Sequence, residues 1–141
     1  MSWKDLVDNG YVQPHRSSRA EIGDLLALID RDLRDASIEG LSDDRRFATS
    51  YNAALQLAKA AIAAAGYRPA KGNSAHFISF DAVKSAIPTD QVSMLADYFD
   101  LCRRKRNHID YDASEVVTRT ETEEIIRRTN EFRELVLQWL K

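Results

Sequence analysis

A short run of side chains near the C-terminal end of the chain has the types and spacing needed for phosphate chemistry. Four consecutive cations, Arg103-Arg104-Lys105-Arg106, lead into Asn107-His108, and Tyr111 follows three residues later. The chain has 20 basic and 22 acidic residues and a net charge of −2, so this cluster is a local feature. Arginine binds phosphate oxygens through paired N–H donors, and histidine transfers protons near neutral pH. The segment therefore predicts a phosphate site with Arg103, Arg104 and Arg106 as binding residues.

Length and composition limit the class of protein. The 141 residues, 44% of them hydrophobic, suffice for one domain, residues 1–141, with its own core. The balanced charge argues against a protein coated in nucleic acid or lipid. A single cysteine excludes an internal disulfide and a cysteine-based zinc site, and it is typical of the reducing cytoplasm.

The sequence shows no pattern for a membrane segment, a metal site or a cofactor. The N-terminus lacks a hydrophobic signal segment, and the longest weakly polar run, residues 58–65, is too short to span a bilayer. The three histidines, His15, His76 and His108, are far apart, and no phosphate-binding loop or dinucleotide fingerprint occurs. We therefore expect a cytoplasmic protein without metal, cofactor or membrane contact. We also expect His15 to be solvated and His76 to pack or cap near the start of a helix.

Helical periodicity and capping signals account for nearly the whole chain, and no alternating strand pattern of useful length appears. Ser18 with Glu21, and Thr120 with Glu123, have capping-box spacing, in which each side chain satisfies a backbone N–H group of the other residue. Gly66 is a natural helix stop. These signals predict a short turn or helix at residues 3–7 and helices over about 18–36, 42–66, 75–86, 91–110 and 120–141. The predicted fold is all-α, an up-and-down bundle of four to five helices.

The helical phase of residues 91–110 separates the basic side chains into two groups. With about 100° per residue, Arg106 falls on the apolar stripe that faces the bundle, and Arg103 lies at its rim. A buried guanidinium needs a partner, and Asp110 or a carboxylate of another helix is the predicted one. Arg104, His108 and Tyr111 fall on the opposite half, facing solvent or another subunit. The stripe consists of Leu95, Phe99, Cys102, Arg106 and Ile109.

The helical pattern and this polar cluster together resemble the HEPN family. Residues 51–54 (Tyr-Asn-Ala-Ala), then 66–69 (Gly-Tyr-Arg-Pro) and His76, are similar to the family's small residues followed by glycine and histidine. Arg103 and His108, with four residues between them, match its motif of Arg, four to six residues, then His. The resemblance covers most of the chain and implies a four- or five-helix bundle. Such domains occur in prokaryotic toxins, in partners of minimal nucleotidyltransferases and in RNA-processing enzymes.

A second register of the motif is also open. Many members have Arg-Asn, three residues, then His, which places Arg106 and Asn107 in the motif and Tyr111 where His is expected. In catalytic members, the Arg and His of two subunits meet at a dimer interface and cleave RNA without metal. The register of Arg103 and His108 implies such an enzyme. The second register implies a non-catalytic member, because tyrosine, with a pKa near 10, is a poor base at pH 7. The helical phase favours the second register.

Three functions follow from the resemblance. The first is a non-catalytic or weakly active module of toxin–antitoxin or defence type that binds RNA or a nucleotidyltransferase-type partner protein. The second is a metal-independent endoribonuclease that uses Arg103, Arg106 and His108 at the interface of a homodimer. The third is a domain that senses a nucleotide phosphate. A simpler interpretation of Arg104 and Lys105 also stands, because cations near a helix C-terminus complement the helix dipole.

Overall fold

The computed structural model describes residues 1–72, 74–111 and 116–141, with residues 110 and 111 described by their backbone alone. The all-α bundle is confirmed, and the five long predicted helices each begin and end within about two residues of the expected positions. The elements are α1 (Trp3–Asp8), β1 (Val12–Pro14), α2 (Arg19–Ala36), α3 (Asp43–Ala64), β2 (Tyr67–Pro69), α4 (Ala75–Ala86), α5 (Asp90–Tyr111) and α6 (Arg119–Leu140).

Helix α3 is the centre of the bundle. Most of its residues are buried, and many of these are alanines, so neighbouring helices approach its backbone closely. Its buried serine is satisfied within the core. The hydroxyl of Ser50 donates to Thr129 Oγ1 at 3.0 Å, and the hydroxyl of Thr129 donates to the carbonyl of Ile125 at 2.7 Å. Helices α2, α4, α5 and α6 all contact α3. A side chain on α3 can therefore reach residues of several other helices.

Two short strands, one before α2 and one after α3, lie outside the predicted helices. Strands β1 and β2 pair antiparallel, with Val12 opposite Pro69 and Pro14 opposite Tyr67. Tyr67 stacks on Trp3 of α1 with ring centroids 4.1 Å apart, so the pair closes a second small core. Gly66, with φ of 100°, allows the chain to leave α3 and enter β2. Three-residue strands are too short to show an alternating pattern, and their pairing joins distant segments.

The start of α2 corrects two further predictions. Ser18 is the N-cap, as expected, and its hydroxyl accepts the Glu21 N–H at 3.1 Å. The carboxylate of Glu21 does not complete the capping box. It binds His15 Nε2 at 2.8 and 2.9 Å, so His15 is a half-buried partner of this carboxylate and is not solvated. An imidazole close to the first turn competes successfully with the backbone N–H for the carboxylate.

The cap of α6 lies two residues before the predicted one. Thr118 and Glu121 form the complete capping box: Thr118 Oγ1 accepts the Glu121 N–H at 3.1 Å, and Glu121 accepts the Thr118 N–H at 2.9 Å. The sequence contains the same spacing at Thr120 and Glu123. The buried Thr122 supports the first pair. Its backbone N–H and its hydroxyl both donate to the Thr118 carbonyl at 3.0 Å, and its hydroxyl also reaches the carbonyl of Asp43 at 3.3 Å.

This cap position can be tested by two alanine substitutions. Thr118→Ala should lower the free energy of unfolding by about 1 kcal/mol, because the cap hydrogen bond is lost. Thr120→Ala is the matched control and should not destabilise the chain, since Thr120 is exposed inside the helix and alanine has the better helix propensity. Urea unfolding followed by circular dichroism measures both. A larger loss for Thr120→Ala than for Thr118→Ala would restore the original cap assignment.

Candidate functional site

Helices α4 and α5 form an antiparallel hairpin, and each of them carries residues of the candidate site. Thr89 in the connection accepts the Val92 N–H at 3.2 Å and starts α5 in the opposite direction. Along the hairpin, Lys84 Nζ lies 2.5 Å from Asp97 Oδ1, and the rings of Phe80 and Phe99 are 5.8 Å apart. These pairs define an antiparallel register. One turn beyond the phenylalanines, the same register places His76 of α4 beside Arg103 of α5.

A buried tyrosine of α3 anchors this end of the hairpin. The Tyr51 hydroxyl lies 3.1 Å from His76 Nδ1, and the Tyr51 ring meets the edge of Phe80 at 5.8 Å. Tyr51 is 0% exposed. Burial raises the pKa of its hydroxyl well above the ordinary value, although the charges of Arg103 and Arg106 act in the opposite direction. Tyr51 therefore stays a neutral phenol that holds His76 in place.

His76 is a half-buried imidazole surrounded by positive charge. Burial lowers its pKa first, and the charges of Lys59, Arg106 and Arg103 lower it further. His76 is therefore neutral at pH 7. It also lies in the first turn of α4, where the positive end of the helix dipole adds to this potential. Cations from α3 and α5 thus act on one imidazole, an arrangement that favours a bound anion.

Arg103 and Arg106 occupy the positions that the helical phase predicted. The stripe residues Leu95, Phe99 and Cys102 are 2%, 0% and 8% exposed, and the two arginines that continue this side of α5 are half-buried. The Arg103 Nε donates to Asp100 Oδ1 at 3.1 Å. A guanidinium has five N–H donors, so this one bond leaves Arg103 able to contact a phosphate. The predictions about the side chains of Asp110 and Tyr111 lie outside the described residues.

The exposed polar residues of α5 extend from the side of Arg103 round to the far side of the helix. Arg104, Asn107 and His108 are all exposed. Arg103 and His108 are five positions apart and therefore about 140° apart around the helix axis. The structure thus brings Arg103 and Arg106 toward His76 and places His108 on another side of the helix. Met94 and Leu101 lie on the same outer stripe as His108 and are 68% and 71% exposed.

Two other residues of this helix have structural roles. Lys105 Nζ lies 2.7 Å from Glu121 Oε2, and this hydrogen bond lowers the pKa of the Glu121 carboxyl. Lys105 therefore ties α5 to the capping box of α6. Cys102 is a buried thiol whose pKa is raised to about 11, chiefly by burial. It is a small core residue, as its place on the apolar stripe predicted.

The residues that the structure describes offer neither a metal site nor a helix that could span a membrane. Among those residues, His, Cys, Asp and Glu form no group of three or more that could hold a metal ion. In the same ranges, every helix is too short or too polar to cross a bilayer.

The sequence analysis identified the arginines of this site but not the side chains that surround them. It treated His76 as a packing or capping residue and assigned Tyr51 and Lys59 no part in the site. A signal was present, since Tyr51 and His76 both lie in the segments that carry the family resemblance. The helical phase of α5 alone did not connect them to Arg103, because the register between two helices depends on the hairpin and on the aromatic contacts inside it.

Comparison with known proteins agrees with this architecture. Residues 39–137 match the family model described as HEPN_SAV_6107-like HEPN. The match begins in the loop before α3 and ends in the last turn of α6, so it includes all residues of the site described above. Neither the curated proteins nor the solved structures gave a significant match. Because the family model covers more than half of the chain, the chain belongs to the HEPN family.

Proposed function

We propose that this HEPN domain is an RNA-binding module of toxin–antitoxin or defence type, non-catalytic or weakly active, in which Arg103 and Arg106 bind the phosphate backbone. The supporting observation is the concentration of charge at the open end of the α4–α5 hairpin. Lys59, Arg103 and Arg106 all act on the neutral His76, and Asp100 is the carboxylate bound to Arg103. A local excess of cations around a half-buried polar group favours an anionic ligand.

RNA is the proposed anion because the basic surface extends beyond one phosphate. The exposed Arg104 and Asn107 continue it along α5, over a helix rise of about 6 Å from Arg103. Phosphate contacts by arginine give affinity without sequence readout, and exposed polar side chains nearby can contact ribose or bases. The outer stripe of α5 with Met94, Leu101 and His108 is the surface we propose for a second subunit or a nucleotidyltransferase-type partner protein.

The experiment that tests the module is a titration of the intact chain with short fluorescent RNA. We expect single-stranded RNA to bind with an affinity that falls as salt rises, since each phosphate contact contributes about −0.7 to the logarithmic salt slope for single strands. An affinity that is undetectable at low salt would reject the proposal. Co-purification with a neighbouring nucleotidyltransferase tests the partner separately.

A metal-independent endoribonuclease is the second candidate, and the position of His108 favours it. His108 shares its stripe on α5 with the exposed Met94 and Leu101. Two chains that pair through these apolar side chains would bury them and bring His108 of each chain toward an arginine of the other. His108 would then take the proton of the ribose 2′-hydroxyl while that oxygen attacks phosphorus. The bond from phosphorus to the 5′-oxygen would break, with a proton from water to the leaving oxygen, and would give a 2′,3′-cyclic phosphate and a 5′-hydroxyl. Arg103 or Arg106 would stabilise the developing charge.

Replacement of His108 distinguishes the two candidates. We expect His108→Gln to change RNA affinity by less than about twofold, and the wild-type chain to show no cleavage of labelled RNA in the presence of EDTA. The matched control is His15→Gln, at a histidine bound to Glu21 and remote in sequence from α5. If the wild-type chain and His15→Gln both cleave RNA, and His108→Gln is slower by roughly 100-fold or more, the endoribonuclease assignment replaces the module.

A further inference from the structure

We infer that the groove between α2 and α6 binds an amphipathic helix of a partner protein, one that carries an apolar stripe and acidic side chains. The groove is lined by α2 and the two residues before it, by the end of α3 and by the end of α6. None of the residues assigned to RNA lines it. The inference is therefore independent of the proposed RNA binding and adds a second interaction surface.

The groove exists because α2 and α6 both pack along α3 and hardly touch each other. They are joined by the ion pair of Arg133 Nε with Asp30 Oδ1 at 2.9 Å. From this pair toward the start of α2 and the end of α6, a groove of about 700 Å³ separates them. Its four large apolar side chains are only half-buried, so the chain alone leaves apolar surface uncovered. The apolar lining consists of Ile22, Leu26, Ala64, Leu137 and Leu140.

The shape of the groove fits a helix better than a small molecule. Its walls are the start of α2 and the end of α6, which therefore run antiparallel, and its floor is α3. A helix laid between two helices and on a third would pack as in a bundle. From Arg19 to Leu26 the wall rises over about 10 Å, or two helical turns. The groove is open on its outer side, whereas small-molecule sites bury about 70–90% of the ligand surface.

Gly23 gives the α2 wall of the groove a place where another helix can come close. It lies inside α2, and a methyl group placed on its backbone would meet no atom within 4 Å. Packing within the chain therefore does not require glycine here, although glycine weakens a helix interior relative to alanine. The distance between packed helices depends on the side chains at their contact. Without a side chain at this position, a partner helix can approach α2 closely.

The charges at the open end of the groove favour acidic side chains on the partner. Arg19 and Lys141 are both exposed there, and neither forms an ion pair with another residue that the structure describes. The carboxylate on the rim, Glu134, is already bound by Arg133 Nη1 at 3.2 Å. This end therefore has an excess of positive charge. A partner helix with Asp or Glu beside its apolar stripe complements it.

The test is a titration of the intact chain with a synthetic helical peptide of about 18 residues, followed by fluorescence anisotropy. The peptide has leucines at i, i+3, i+4 and i+7 and glutamates beside them, and it should bind in roughly the micromolar range. Gly23→Leu fills the groove and should weaken binding at least about tenfold. The matched control is Gly40→Leu, which adds the same side chain at another glycine with open surroundings, outside the groove, and should have no effect. Thermal melting by circular dichroism checks that both variants are folded.

Reversal of charge tests the acidic side chains of the partner. Arg19→Glu should weaken binding of the glutamate peptide about fivefold and strengthen binding of a peptide with lysines in their place by a similar factor. Arg31→Glu on an outer face of the same helix is the control and should change either affinity by less than about twofold.

Four results would overturn the inference. The first two are an absence of peptide binding and equal binding by the wild type and Gly23→Leu. The third is binding of decanoate that Gly23→Leu abolishes, together with displacement of the peptide, which would assign the groove to a small amphiphilic molecule. The fourth is a dimer of the chain that Gly23→Leu dissociates, which would assign the groove to a second copy. RNA affinity should be the same in Gly23→Leu and the wild type, so none of these results bears on the proposed function.

Discussion

Simultaneous replacement of Arg103 and Arg106 by glutamine should lower the affinity for single-stranded RNA by roughly 100-fold at low salt. Each arginine is half-buried, and its charge acts on His76. A hydrogen bond to a charged group contributes about 1.5–3 kcal/mol, and the combined loss is smaller than the sum of the two because both groups share one ligand. The slope of log affinity against log salt should become shallower by about 1.4, the contribution of two phosphate contacts on a single strand.

The control for this experiment removes the same charge elsewhere. Arg31 and Arg119 have side chains that are 59% and 64% exposed, each in an ion pair on another helix. Their joint replacement by glutamine should change RNA affinity by no more than about threefold, through the net charge alone. Equal losses in the two double variants would show that RNA senses only the overall charge, and the α4–α5 site would be rejected. The glutamine variants should stay folded, since the Arg103–Asp100 pair is partly exposed and such pairs contribute little to stability.

The parts of the fold that depend on neighbouring residues were predictable. Ser42 caps α3, Gly66 follows its end, and α4 spans Ala75–Ala86. Helix caps, helix stops and helical periodicity each depend on residues that are close together in the sequence. The β1–β2 pair was not predictable in the same way. Its register, Gln13 opposite Arg68, joins segments more than 50 positions apart. The choice of Thr118 over Thr120 likewise depends on a contact with α3.

The same division explains the candidate site. The phase of α5 correctly separated Arg103 and Arg106 from Arg104 and His108, because it depends on one helix alone. The participation of His76 depends on the angle and register of three helices around Tyr51. The small alanines of α3 allow that approach, and the aromatic contacts from Tyr51 through Phe80 to Phe99 fix it. The cation cluster can thus be predicted from the sequence, whereas the polar groups near it, Tyr51 and His76, can be identified only from the packed structure.

This packing argument predicts a large effect at Phe99, the central ring of α5. Phe99 is 0% exposed, and its ring lies 5.8 Å from that of Phe80 and 5.5 Å from that of Phe132. Phe99→Ala should lower the free energy of unfolding by about 3–5 kcal/mol through the lost contacts and the cavity left behind. That is a large share of the roughly 5–15 kcal/mol available to a domain. Urea unfolding at 15 °C, followed by circular dichroism, measures the change.

Leu101→Ala provides the control on the same helix. Leu101 is 71% exposed, so its truncation should change stability by no more than about 0.5 kcal/mol. Phe99→Ala should also weaken RNA binding under conditions in which the chain is still folded, because Phe99 fixes α5 against α4 one turn before Arg103. Leu101→Ala should leave RNA binding intact. If Phe99→Ala destabilised the chain by less than about 1 kcal/mol, or if it left RNA affinity unchanged, the aromatic contacts would not be what holds Arg103 and Arg106 beside His76.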